Sequence, residues 1–293
     1  MNGPLAWCTL LLIAVTCAVS YAGFLKPALV RKYIFNPESI LADKEYYRLL
    51  TAAFLHADGT HLFFNMLTLF LFGSTLELVF GQVEFLAIYF GAVVGGSLLS
   101  LYVHRHHQYL AYGASGGVCG ILFAYILLFP GASIVAFTFP VPVPGWLYAI
   151  GYMLASFYGL KENRGNIGHD AHLGGAIIGF LIAAGMNPDR VRENLVIFLA
   201  VLGLAVALLI YLWMNPMFLP LSAFLDRPQR RREKSTGMPK HRRESLQVDV
   251  ILEKISKRGV ESLTEEEKAV LGEVSGKYRR RAESKKPDSG LAI

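Results

Sequence analysis

Charge is scarce in this chain. Lys, Arg, Asp and Glu together make up 17% of its 293 residues, against about 25% in soluble domains. Cysteine is nearly absent: Cys8, Cys17 and Cys119 all lie in apolar runs, and there is no CxxC pair. That gives no disulfide framework and no cysteine zinc site. HExxH is missing too, no acidic residue is spaced to complete a ligand set with the histidines, and no internal repeat is visible. With 54% hydrophobic residues and a mean hydropathy of +0.42, these shortages exclude an ordinary soluble enzyme, a disordered chain and a disulfide-stapled secreted module.

What is present is a series of apolar runs. Seven are close to the length that crosses a bilayer: Leu5–Phe24, Leu62–Phe80, Phe85–Val103, Ser115–Phe129, Gly145–Tyr158, Ala171–Met186 and Leu195–Trp213. The fourth and fifth are short, yet they lack the polar faces and polar linkers of soluble core helices. Gly and Ala are frequent inside the runs, as expected where helices pack closely in lipid. The expected fold is therefore an all-α, polytopic membrane helical bundle. Met1–Pro4 carries no Lys or Arg, so the first run reads as a spanning helix rather than a signal peptide, although Ser20-Tyr21-Ala22 resembles a cleavage site. Tyr46–Leu50 looks interfacial, with aromatics and a cation at headgroup level. Pro140, Pro142 and Pro144 are expected to stop the fourth segment and set the start of the fifth.

The net charge of +6 is not spread evenly. Residues 1–225 hold ten basic and ten acidic residues, and the whole excess falls in the last 68 residues. That tail opens with Arg230-Arg231-Arg232 and Lys234. Val248, Ile251, Leu252 and Ile255 then recur at helical spacing, Gly259 ends that stretch, and Thr264 with Glu267 fits a capping box. A two-helix hairpin over about 247–283 and a solvated, unstructured tail are both compatible with this pattern. The charge thus points to anionic headgroups rather than to nucleic acid.

Polar groups inside membrane segments cost free energy and are functional candidates. Successive segments alternate in direction, so the second, fourth and sixth start at the same face. His61 and Asn65, Ser115, and His172 lie within the first turns of those three segments. They therefore share a depth, whatever the fold. A serine hydroxyl needs a base to act as a nucleophile, and His172 is the obvious one. The small-residue stripes Gly116, Gly120, Ala124 and Gly175, Gly179 would let the fourth and sixth helices approach. His61 and Asn65, four residues apart on one face, can both donate to an oxyanion. Asp170 falls on another face than His172, which favours a Ser-His dyad over a triad. Gly113-Ala114-Ser115-Gly116-Gly117 matches the GxSxG elbow of soluble hydrolases, but no strand precedes it as that elbow requires. Taken singly, a serine among glycines is more often helix packing, and a membrane histidine is often an interhelical hydrogen bond. His104, His106 and His107 read as solvated loop residues. Glu77 reads as a hydrogen-bonding group that holds structure, with a proton relay as the other possibility.

These residues resemble the rhomboid intramembrane serine proteases. The resemblance rests on His56-x4-His61-x3-Asn65, Gly113-Ala114-Ser115-Gly116 and Ala171-His172-x2-Gly175-x3-Gly179, with Arg48 and Gly73-x3-Glu77 in support. It covers about residues 5–186. It implies Ser115 as nucleophile and His172 as general base. It implies oxyanion stabilisation by His61, Asn65 and the Ser115 amide, with Gly113, Gly116, Gly175, Gly179, Glu77 and Arg48 as structural support. It further implies a water-filled cavity, transmembrane helices of other proteins as substrates, the fifth segment as a lateral gate, and no cofactor or metal. The domains expected are a six-helix core at 1–190, a seventh helix at 191–220 and a basic tail at 221–293 with no assigned partner. The location implied is the bacterial cytoplasmic membrane. Cys119 stands where many relatives carry an aromatic packed on the catalytic histidine, which would leave His172 less fixed. A non-catalytic, client-binding relative is the alternative, although such proteins typically lack the serine or the histidine. A transporter is a weaker option, because Glu77 and Asp170 are too few for an ion path. The family's bacterial orientation puts the active site outside, whereas the lysine and arginine count of the loops puts it in the cytoplasm.

Overall fold

A computed structural model describes residues 4–106, 108–136, 139–161, 168–215 and 264. The tail hairpin expected at 247–283 lies outside the described residues, as do the basic cluster and His107. By its contacts the chain divides into two units, 1–227 and 228–293. All the described helices belong to the first.

The first unit is a helical membrane bundle. A long opening helix, α1 (Trp7–Leu25), leads into three short helices, α2 (Pro27–Tyr33), α3 (Pro37–Ala42) and α4 (Arg48–Thr51). The second segment begins as α5 (Gly59–Thr68), widens into one π turn at Leu69–Gly73 and continues as α6 (Ser74–Phe80). Asp58 caps α5 by accepting the His61 amide at 2.8 Å. Gly81, at φ +95°, turns the chain into α7 (Gln82–His104). Then come α8 (Ser115–Leu128), α9 (Gly145–Lys161), α10 (His169–Met186), the short α11 (Pro188–Glu193) and α12 (Leu195–Met214).

Among the described residues, four helical stretches are long and apolar enough to cross a membrane: Trp7–Leu25, Gly59–Phe80, Gln82–His104 and Leu195–Met214. Their outward faces remain apolar, with Leu11, Leu71, Leu98, Val206 and Trp213 exposed. Such a belt suits lipid and would aggregate in water. In α12 only Val201, Ala205, Leu208 and Leu212 are buried, a single stripe facing the bundle.

The centre is α8. Twelve of its 14 residues are buried, so protein rather than lipid surrounds it. The glycine stripes explain how α10 comes so near. A Cβ on Gly175 would run into the Gly116 backbone, and one on Gly179 into Gly120. On the other side of α10, Gly174 lies against the backbone of Gly95 and Gly96 in α7. Bare backbones on three helices thus hold α10 between α8 and α7.

One element departs from the all-helical expectation. Residues β1 (Ser133–Ala136) and β2 (Phe139–Pro144) form an antiparallel hairpin. The alternate prolines do more than end a helix. Gly145 donates its amide to Ala132 at 3.0 Å, so Pro144, paired with Ser133, turns its donor-less nitrogen away from the ladder at no cost. The register breaks between the Ile134–Val143 and Ala136–Phe139 pairs, and Pro140 and Pro142 fall in that irregular stretch of β2.

Candidate active site

Ser115 is the first residue of α8. At about 1.5 Å per residue, that helix is near 21 Å long, shorter than the hydrocarbon core of about 30 Å. Its N-terminus is reached through a cavity of about 970 Å³ whose walls include His61, Asn65, Ser115, Tyr152 and His172.

His172 lies in the first turn of α10 and places Nε2 2.7 Å from Ser115 Oγ. The glycine contacts of α8 with α10 set that distance, since a larger residue at Gly175 or Gly179 would run into the α8 backbone and push the two helices apart. On its other nitrogen, His172 Nδ1 is 3.1 Å from the Tyr152 hydroxyl, which is itself 3.0 Å from Cys119 Sγ. Asp170 is turned elsewhere. Its carboxylate is 3.1 Å from His104 Nε2 and within 3.4 Å of the Tyr109 hydroxyl, whose ring stacks on His104 at 3.6 Å.

The other wall is built from α5 and the segment before α8. Gly113 has φ +147°, a conformation that favours glycine. A Cβ there would lie 2.8 Å from His61 Cε1 and 3.7 Å from Ser115 Oγ, so the His61 ring, Gly113 and the serine hydroxyl converge. Asn65 is buried, and among the described residues its Nδ2 has no hydrogen-bond partner. An amide donor left open on a cavity wall suits an incoming oxygen.

His56 ties this wall to α1. The Ala114 amide donates to His56 Nε2 at 3.3 Å, which leaves the ring proton on Nδ1. Nδ1 then donates to Ser20 Oγ at 2.9 Å, and Ser20 donates to the Phe54 carbonyl at 2.9 Å. Burial, with the nearby His61 adding, pulls His56 down to about 4, so it stays neutral near pH 7.

The supporting residues hold the frame. Arg48 opens α4, next to the aromatic Tyr46 and Tyr47. It is buried, donating to the Arg31 carbonyl at 3.0 Å, to the Ile34 carbonyl at 2.8 Å and to Glu45 at 2.6 Å. Glu77 accepts the amides of Cys8 and Thr9 at 2.8 and 2.7 Å.

Two expectations are corrected by the structure. His104 is not a solvated loop residue: it ends α7 and pairs with Asp170. Nor does Cys119 leave His172 loose, because Tyr152 reaches in from α9. Sequence reasoning does not single out Tyr152 among the aromatics of the fifth run. Its spacing from Tyr148 and Ser156, one turn either way, is the signal that could have found it.

A rhomboid domain model matches residues 43–188, and the chain belongs to the rhomboid family. A second match, to a family of unknown function, covers residues 238–277. The chain is similar to Rhomboid protein 1, mitochondrial, of Saccharomyces cerevisiae, with 31% identity over 54% of this chain and 49% of the relative. It is similar to Rhomboid protease GluP of Bacillus subtilis, 32% identical over 59% of this chain and 33% of the relative. It is also 28% identical to Rhomboid protease AarA of Providencia stuartii, over 58% of this chain and 66% of the relative. The chain thus spans about half or less of the length of the first two.

Proposed function

We propose that the protein is an intramembrane serine endopeptidase that cleaves transmembrane segments of other membrane proteins. The observation that carries this reading is the 2.7 Å approach of Ser115 Oγ to His172 Nε2 at a cavity wall that also holds an open Asn65 amide. Ser115 attacks the peptide carbonyl while its proton passes to His172. His61, Asn65 and the Ser115 amide stabilise the oxyanion. His172 returns the proton to the leaving amine, and water hydrolyses the acyl-enzyme. No metal or cofactor takes part. A helical substrate shields its own carbonyls, so helix-weakening residues are expected near the cut.

In this reading residues 1–190 form the catalytic core, 191–220 a seventh helix and 221–293 a basic tail. The membrane proposed is a bacterial cytoplasmic membrane, in line with the relatives from Bacillus subtilis and Providencia stuartii. Reporter fusions at Ile293 decide which side the tail occupies.

The test is cleavage of a model membrane substrate by the purified chain, with fluorophosphonate labelling of Ser115. Ser115→Ala and His172→Ala should abolish cleavage, and Ser115→Ala should abolish labelling. Cleavage at the wild-type rate by either variant overturns the reading. A wild-type protein that neither cleaves nor labels points instead to a non-catalytic, client-binding role.

A further inference from the structure

Catalysis by a serine and a histidine needs more than proximity. For His172 Nε2 to take the Ser115 proton, the ring proton must sit on Nδ1 beforehand. Something must accept a hydrogen bond from Nδ1–H, hold the ring in plane and keep accepting as the imidazolium forms. In triads a carboxylate does this. Here the nearest acidic residue in sequence, Asp170, is spent on His104 and Tyr109.

The Tyr152 hydroxyl fills that position. It is 3.1 Å from Nδ1, and its ring lies nearly parallel to the imidazole, at 29° with centroids 6.4 Å apart. The hydroxyl is held in turn by Cys119 Sγ at 3.0 Å, with the Ser156 side chain in hydrogen-bonding reach one turn further along α9. The ring is packed separately, stacked on Tyr148 at 5.9 Å and edge-on to Phe123 at 5.8 Å. Packing therefore explains the ring but not where the oxygen points.

We propose that Tyr152 is the positioning residue for His172: its oxygen accepts from Nδ1–H, fixes the tautomer that leaves Nε2 free for Ser115, and is aimed by Cys119. The inference rests on the serine-protease reading above. It makes a neutral hydroxyl, delivered from a third helix, do the orienting work of a carboxylate. Ser115 and His172 stand on α8 and α10, whereas Tyr152 stands on α9, so the geometry of the pair depends on where α9 sits.

The experiment uses the full chain in detergent or liposomes. Tyr152→Phe keeps the ring and its packing and deletes only the oxygen. It should lower kcat on a membrane substrate at least tenfold with KM within twofold of wild type. It should slow fluorophosphonate acylation of Ser115 by a similar factor, since that small probe needs the base but no docking of a helix. Nitrogen shifts of labelled His172 should show the Nδ1–H tautomer in the wild type and a mixture in the variant. Cys119→Ala, which frees the hydroxyl without removing it, should fall between the two. A Tyr152→Phe enzyme within twofold of wild type in kcat and acylation overturns the proposal. So does a loss carried by KM alone, or one matched by an equal loss of folded protein. Ser115→Ala in the same assay separates the two readings. If it still cleaves, the protease reading itself is wrong; if it is dead while Tyr152→Phe is normal, only the role of Tyr152 fails.

Discussion

Glu77 closes the N-terminus of α1 through Thr9, accepting both the Thr9 amide at 2.7 Å and its hydroxyl at 2.8 Å. Helix N-termini leave amides without partners, and inside a bilayer no water replaces them. A carboxylate from α6 meets that need, and the positive end of the α1 dipole favours its charge. Glu77→Ala should therefore loosen α1. Each stranded amide costs about 1–3 kcal/mol, so a drop of several degrees in the thermal unfolding midpoint in detergent is expected. Glu77→Gln keeps an acceptor oxygen and should lose less. Equal midpoints for wild type and Glu77→Ala would show that the contact carries no stability.

Two glycines of α10 make a matched pair. A Cβ on Gly175 meets the Gly116 backbone, while Gly185, ten residues on, has nothing within 4 Å. Gly175→Ala should force α8 and α10 apart, costing about 1–3 kcal/mol as overpacking does and lengthening the Ser115–His172 separation, so activity falls as well. Gly185→Ala should be neutral or stabilise by up to about 1 kcal/mol through helix propensity. Unfolding midpoints and fluorophosphonate labelling of both variants check this. Similar behaviour of the two would mean that close backbone contact is not what joins the helices.

His56 makes stability depend on pH. In the unfolded chain a histidine takes up its proton near pH 6.5; in the fold His56 does so only near 4. Between those values the unfolded state binds more protons, so stability falls as pH drops from 6.5 toward 4 and is complete above 6.5. The contribution is at most about 3 kcal/mol. Protonation also sets an N–H on Nε2 against the Ala114 amide, one residue before Ser115. Unfolding midpoints measured between pH 7 and 5 should fall more steeply in the wild type than in His56→Asn. Parallel slopes would assign the acid sensitivity elsewhere.

How far these features are legible in the sequence depends on their range. His61, Asn65, Ser115 and His172 share a depth because helix direction alternates, a property of order along the chain alone. The glycine stripes are periodic and therefore visible. Tyr152 does not stand out, because which of several tyrosines in α9 faces the cavity depends on the rotation of that helix about its axis. Asp170 and His104 each look isolated, since they meet only when α7 and α10 pack. The hairpin is signalled by prolines at every second residue, a period of two that suits an outer strand. Their helix-stopping property masks it.

Gly113 offers the sharpest test of the wall opposite His172. Its φ of +147° disfavours any side chain by about 1–3 kcal/mol, and an added methyl would press on His61 at Cε1 and Nε2, 2.8 and 3.1 Å away. Gly113→Ala should move the imidazole away from the space beside Ser115 Oγ. If His61 helps to hold the oxyanion, kcat should fall by about ten- to a hundredfold, the lower part of the range for losing such a donor being about a hundredfold. His172 and Ser115 stay 2.7 Å apart on other helices, so the serine should still be activated. His61→Ala should reproduce the loss, and combining it with Gly113→Ala should add little, because both act on one side chain. A double variant much worse than either single one would mean that Gly113 serves Ser115 directly and that His61 acts independently of it.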